Sequence, residues 1–119
     1  MQKLDYSPYP FTEDEIKKNA KKQQSGVFGL GNLKPNQDFE ILKTEHTQSV
    51  PDALRTALKK KENKDYTFFG FSYTENEKDA FELACKFYHE RPPIRDNDKH
   101  PIPEDKCEIC HPPPVTMQW

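Results

Sequence analysis

The sequence predicts an α/β (α+β) domain: a small three-stranded mixed sheet of order 2-1-3, flanked by helices, with a proline-rich C-terminal tail. Three observations carry this expectation. Tyr66 to Arg91, YTFFGFSYTENEKDAFELACKFYHER, passes from an alternating aromatic strand through a capping signal into an amphipathic helix. Two apolar runs on either side of Lys34-Pro35-Asn36-Gln37 read as a hairpin. Of the eleven prolines all but Pro35 and Pro51 gather towards the two ends, which leaves a compact middle with extended flanks.

At 119 residues the chain fits one domain. With 33% apolar and 32% charged residues the core must be small, so the aromatics have to supply much of it. A net charge of −2 gives no whole-molecule attraction to nucleic acid, and any such site must be a local patch. There is no apolar run long enough for a transmembrane helix, and no membrane partner is expected. MQKLDYSPYPFTEDE lacks the apolar stretch of a secretory signal. Three cysteines, an odd number, argue against a disulfide framework and for a reducing, cytoplasmic setting.

Residues 1–24 read as an N-terminal arm and helix, 25–97 as the α/β core, and 98–119 as the tail. In the arm, Tyr6, Tyr9 and Phe11 are placed to pin an extended segment to the body. Thr12 to Glu15 has capping-box spacing and opens a helix to about Gln24, with Ile16 and Ala20 as its narrow apolar stripe. Lys17, Lys18, Lys21 and Lys22 lie along it. Ser25 to Leu33 is the first core strand, and Gly26, Gly29 and Gly31 suit a bulge or a close neighbour. Their spacing is that of neither a dinucleotide fingerprint nor a P-loop.

Asp38 to Thr44 returns as the second strand, and Glu45 to Ser49 reads as a polar connection. Ser49-Val50-Pro51-Asp52 starts a helix with Val50, Leu54, Ala57 and Leu58 on one face and Lys59, Lys60 and Lys61 at its end. The connection to the third strand, Tyr66 to Tyr73, is long enough for a parallel crossover that sets it beside the first. Thr74-Glu75-Asn76-Glu77 then caps the last helix through Thr74. One face of that helix carries Ala80, Phe81, Leu83, Ala84, Cys85, Phe87 and Tyr88, and the other is polar.

A hairpin opening with Gly26-Val27-Phe28, then a helix, an aromatic strand, a helix that begins Lys78-Asp79-Ala80-Phe81-Glu82-Leu83, and a Pro92-Pro93…Asn97 close resembles the core of the GIY-YIG nucleases over about residues 25–97. The resemblance implies two tyrosines on the hairpin, an arginine on the first core helix and a metal-holding glutamate on the last. Phe28 stands where the first motif ends in tyrosine. The second motif falls on Glu40-Ile41-Leu42, with neither tyrosine nor glycine. Arg55 is on the matching helix, and the glutamate position is Ala84. Glu82 lies about 200° around the helix from Ala84, on the polar side, and cannot replace it without exposing Phe81 and Phe87. The expected function is therefore a non-catalytic domain with a degenerate core, binding nucleic acid or protein. No catalytic residue is assigned; a residual metal-dependent endonuclease would have to use His46, Arg55 and Glu82. A nucleic-acid site would draw on Lys17, Lys18, Lys21, Lys22, Arg55, Lys59, Lys60 and Lys61.

Cys107-Glu108-Ile109-Cys110-His111 has the c-type haem spacing, but Met117 is too close in sequence to take the opposite axial position, so haem is disfavoured. Zinc is the metal this segment fits better: Cys107 and Cys110 have the two-residue spacing that turns both thiolates to one ion, and His111, His100 and His89 could complete the set. A second such cysteine pair is absent from the sequence. A third expectation is thus a small zinc-binding protein.

Overall fold

The computed structural model describes residues 4–89, 94–96 and 101. The chain order is β1 (Tyr6–Pro10), α1 (Glu13–Asn19), β2 (Gly26–Leu33), β3 (Phe39–Thr47), α2 (Val50–Lys59), a 3₁₀ turn (Lys61–Asn63), β4 (Phe68–Tyr73) and α3 (Glu77–Tyr88). The strands form one sheet in the order β1-β4-β2-β3, and every neighbouring pair is antiparallel.

The expected 2-1-3 core is present as β3-β2-β4. The crossover through α2 joins two strands of the same direction with β2 between them, so the sheet has no parallel neighbours and is not mixed. It also has four strands rather than three. Pro8 and Pro10 argue against a strand in the sequence, yet an edge strand tolerates proline, whose missing N–H would otherwise point to solvent. Tyr6 and Tyr9 pair with Phe71 and Phe69 and fix the added strand.

Alternation in β2 separates two cores. Phe28 and Leu30 lie with Phe11, Ile16, Val50, Leu54, Phe69 and Phe71 under α1 and α2. Val27 faces the other way, with Leu4, Ala84, Phe87 and Ile94 under α3. Of the apolar stripes expected for the three helices, Ile16 in α1, Val50, Leu54 and Ala57 in α2, and Ala80, Phe81, Ala84, Cys85 and Phe87 in α3 are buried, while Leu58, Leu83 and Tyr88 are half-buried at the margins.

Three boundaries differ from expectation. First, α1 stops at Asn19, whose side-chain amide donates to the Glu15 carbonyl at 2.9 Å. Beyond it the Lys22 N–H donates to the Tyr73 hydroxyl at 3.0 Å, and the Gln24 carbonyl accepts from Val50 at 3.0 Å, so the chain is drawn across the sheet instead of winding on. Second, β3 continues through Glu45, His46 and Thr47, because its pairing to β2 persists to Gly26↔Thr47. Polar residues suit a strand whose outer side has no strand partner among the described residues. Third, α3 is capped by Asn76, whose side-chain oxygen accepts from the Asp79 N–H at 2.9 Å; the Thr74 hydroxyl instead donates to the Asn76 carbonyl.

The hairpin register breaks between Leu30 and Gly31, leaving Leu42 as the extra residue of a bulge. A Cβ on Gly31 would collide with the Glu40 carbonyl, which is why this position is glycine. Past α3, the segment 94–96 returns to β3: Ile94 is buried, the Asp96 N–H donates to the Leu42 carbonyl at 2.8 Å, and the Tyr66 hydroxyl donates to the Asp96 carboxylate at 2.5 Å. Arg95 closes the clasp at 3.0 Å from the same carboxylate. Its hydrogen bond, then that of Tyr66, holds Asp96 below the usual carboxylate range, while burial and the Asp96 bond push the Tyr66 phenol up to about 12.

Candidate nucleic-acid interface

The residues singled out by the family resemblance do not assemble into one site. Phe28 is 1% exposed in the core under α1 and α2. Ile41 packs towards α3 and Leu42 is the bulged core residue on the other face. Ala84 is 1% exposed against Leu4, Val27, Phe87 and Ile94. Arg55 is on α2, in an ion pair at 3.4 Å with Asp52 of its own helix. His46 is on the opposite face of the sheet, edge-on to Phe81 of α3 with ring centroids 5.6 Å apart. Glu82 shares that helix and lies 3.9 Å from Lys78. The sheet therefore stands between Arg55 and the other two.

Cys107, Cys110, His111 and His100 lie outside the described residues. Among the described residues there is no group of three or more His, Cys, Asp or Glu side chains that could hold a metal ion. His89 closes α3 as its C-cap, beside the Tyr88 ring. Nor is any helix of the described residues long and apolar enough to cross a membrane.

The candidate lysines divide into two groups. Lys21 and Lys22 follow α1 at the end of the sheet where Tyr73 closes β4 and where Gln24 meets the start of α2. Lys17 and Lys18 form the last turn of α1 beside them. Lys59 ends α2 and Lys60 and Lys61 follow it, about 15 Å away along a ten-residue helix. The acidic first turn of α1, Glu13 to Glu15, shares that far end, because Phe11 donates to Thr67 and Tyr66 to Asn63. A continuous basic stripe over all seven lysines does not form.

The near group is exposed, and among the described residues none of its four lysines is in an ion pair. It borders aromatic rings. The Lys22 ammonium lies 5.9 Å over the Tyr73 ring, which is edge-on to Tyr6 at 6.1 Å and to Phe71 at 5.2 Å. From the sequence the aromatic arm is expected to pin to the body or, with the proline-rich tail, to offer a surface to a protein partner; the structure sets Tyr6 of that arm beside Tyr73, whose ring Lys22 overlies. The signal for it in the sequence is the run of Tyr6, Tyr9 and Phe11 around Pro8 and Pro10.

No family model matches the chain, and comparison with curated proteins and with solved structures gives no match.

Proposed function

We propose that this chain is a non-catalytic domain with a degenerate GIY-YIG-like core that binds nucleic acid through Lys17, Lys18, Lys21 and Lys22. The observation that carries the reading is the gathering of these four exposed lysines, without acidic partners among the described residues, at one end of the α1/α2 layer. Cations left without internal partners attract phosphates and release the counterions condensed on them. The non-catalytic half of the reading draws support from Ala84 and Phe28. Both sit in apolar cores where the resemblance calls for a carboxylate and a phenol.

The test is binding of a labelled oligonucleotide across a salt series, with Mg²⁺ cleavage followed in parallel. Contacts from four lysines give a slope of log K against log salt of about −3. A flat salt dependence rejects the nucleic-acid reading and leaves a protein partner, and cleavage by stoichiometric protein rejects the non-catalytic one.

A further inference from the structure

Among the described residues Tyr6 is the large apolar side chain left exposed, at 47%. It is nevertheless firmly held. Its ring stacks on Phe71 with centroids 5.0 Å apart and planes at 25°, and meets the Tyr73 ring at 6.1 Å and 63°. Phe71 beneath it is 1% exposed and stacked in turn on Phe69 at 16°. The backbone behind the ring is fixed by the Tyr6↔Phe71 pairing and by the Asp5 N–H, which donates to the Ser72 hydroxyl at 2.7 Å. A Cβ on Gly70 would come 2.5 Å from the Ser7 Cβ, so β1 rests directly on β4 at this point.

One face of the Tyr6 ring lies on Phe71. Beyond β1 there is no further strand among the described residues, so the opposite face of the ring looks off the sheet edge. One ring away, the Lys22 ammonium stands over Tyr73, and exposed Lys21 precedes it in the chain. This pairs a rigid aromatic face with a cation at the separation of one ring, the two elements that single-stranded nucleic acid uses: stacking for a base and a positive charge for the adjoining phosphate. In a duplex both faces of each internal base are already stacked, so the ring finds no base face to cover and the lysines meet the phosphates alone. The acidic Asp5 neighbours Tyr6 in sequence, so a phosphate chain runs away from it, towards Tyr73 and Lys22.

We infer that Tyr6, with Tyr73 and Lys22, forms a base-stacking subsite that makes the domain select single-stranded over double-stranded nucleic acid. The inference rests on the nucleic-acid reading above and adds the ring to the lysines. The experiment compares a fluorescein-labelled oligothymidylate with a duplex of equal length by anisotropy, using the full chain. The single strand is expected to bind more tightly. Tyr6→Ala weakens it about tenfold and leaves duplex binding unchanged, and Lys22→Gln lowers the magnitude of the salt slope by about 0.7. Lys34→Gln, at the remote β2–β3 turn, leaves both affinities unchanged.

Because Tyr6→Ala also removes a contact of β1, its melting curve is measured. In parallel, an oligonucleotide carrying 5-iodouracil is photocrosslinked to the unsubstituted chain, with Tyr6 as the expected adduct. Equal affinity for strand and duplex, with the salt slope retained and adducts away from Tyr6 and Tyr73, overturns the stacking subsite and leaves the lysine-based reading standing. Absence of salt-dependent binding to either nucleic acid overturns both. So does binding of a proline-rich peptide to Tyr6 in place of nucleic acid.

Discussion

Ala84→Glu puts the carboxylate of the nuclease pattern back at the position the resemblance assigns to it, and so tests whether that position is a site or a core. Ala84 is 1% exposed, and its neighbours Leu4, Val27, Phe87 and Ile94 offer no polar atom beyond the backbone. Burial of this kind raises a carboxyl pKa by about 3 units, and each unit is worth about 1.4 kcal/mol, so holding the ionised group costs about 4 kcal/mol at neutral pH. The longer side chain adds an overpacking cost of about 1–3 kcal/mol. Together these remove much of the roughly 5–15 kcal/mol that a domain has in total. The sign of the pH dependence follows from a folded pKa raised above the unfolded value of about 4.3. Below that value both states are protonated and only the packing cost remains. As pH rises through the folded pKa the charge cost appears in full. Urea denaturation of variant and wild type, followed by circular dichroism at pH 4 and pH 7.5, reads the difference. A variant that matches wild-type stability at both pH values would refute the burial, and one that regains it on addition of Mg²⁺ would show that the position faces a metal site.

Two further expectations concern stability. Asn76→Ala removes the side-chain acceptor for Asp79 and costs about 1 kcal/mol, while Thr74→Ala costs less; equal effects in chemical denaturation would return the cap to Thr74. The Tyr66–Asp96–Arg95 clasp should give stability two pH limbs. Asp96 is depressed, so its contribution is present above the ordinary carboxylate range and is lost as pH falls through its folded value. Tyr66 is raised to about 12, so its contribution is present below about 10 and is lost as pH climbs from there towards 12. Asp96→Asn should shrink both limbs, and a pH–stability curve parallel to wild type would dismiss the clasp.

What was legible in the sequence was local. The apolar faces of the three helices and the hairpin around Lys34 to Gln37 follow from periodicities of 3.6 and 2 and from turn chemistry. Gln37 takes φ 72° there, and the turn closes through its N–H to the Lys34 carbonyl at 2.8 Å. The misread elements were those decided by distant partners. The first strand needs Phe69 and Phe71, more than fifty residues away, to overrule its prolines. The end of α1 is set by Tyr73 and Val50, which no local pattern around Lys21 reveals. The last stretch of β3 is polar and looks like a connection until β2 pairs with it.

The same division holds for function. The sequence by itself determined that position 84 is an alanine on a buried helical face, because residue identity and helical period are both local properties. It could not determine which of eight cationic candidates belong together. Lys22 and Lys59 are equivalent as sequence, each a lysine at a helix end where charge suits the dipole. The tertiary structure parts them: α1 and α2 lie antiparallel across one sheet face, so the lysines that end α1 reach the start of α2 and the rim of aromatic rings, while those that end α2 share the opposite end with Glu13 to Glu15. The rings themselves come from strands separated by most of the chain, and only sheet pairing could set Tyr6 beside Tyr73 and Lys22.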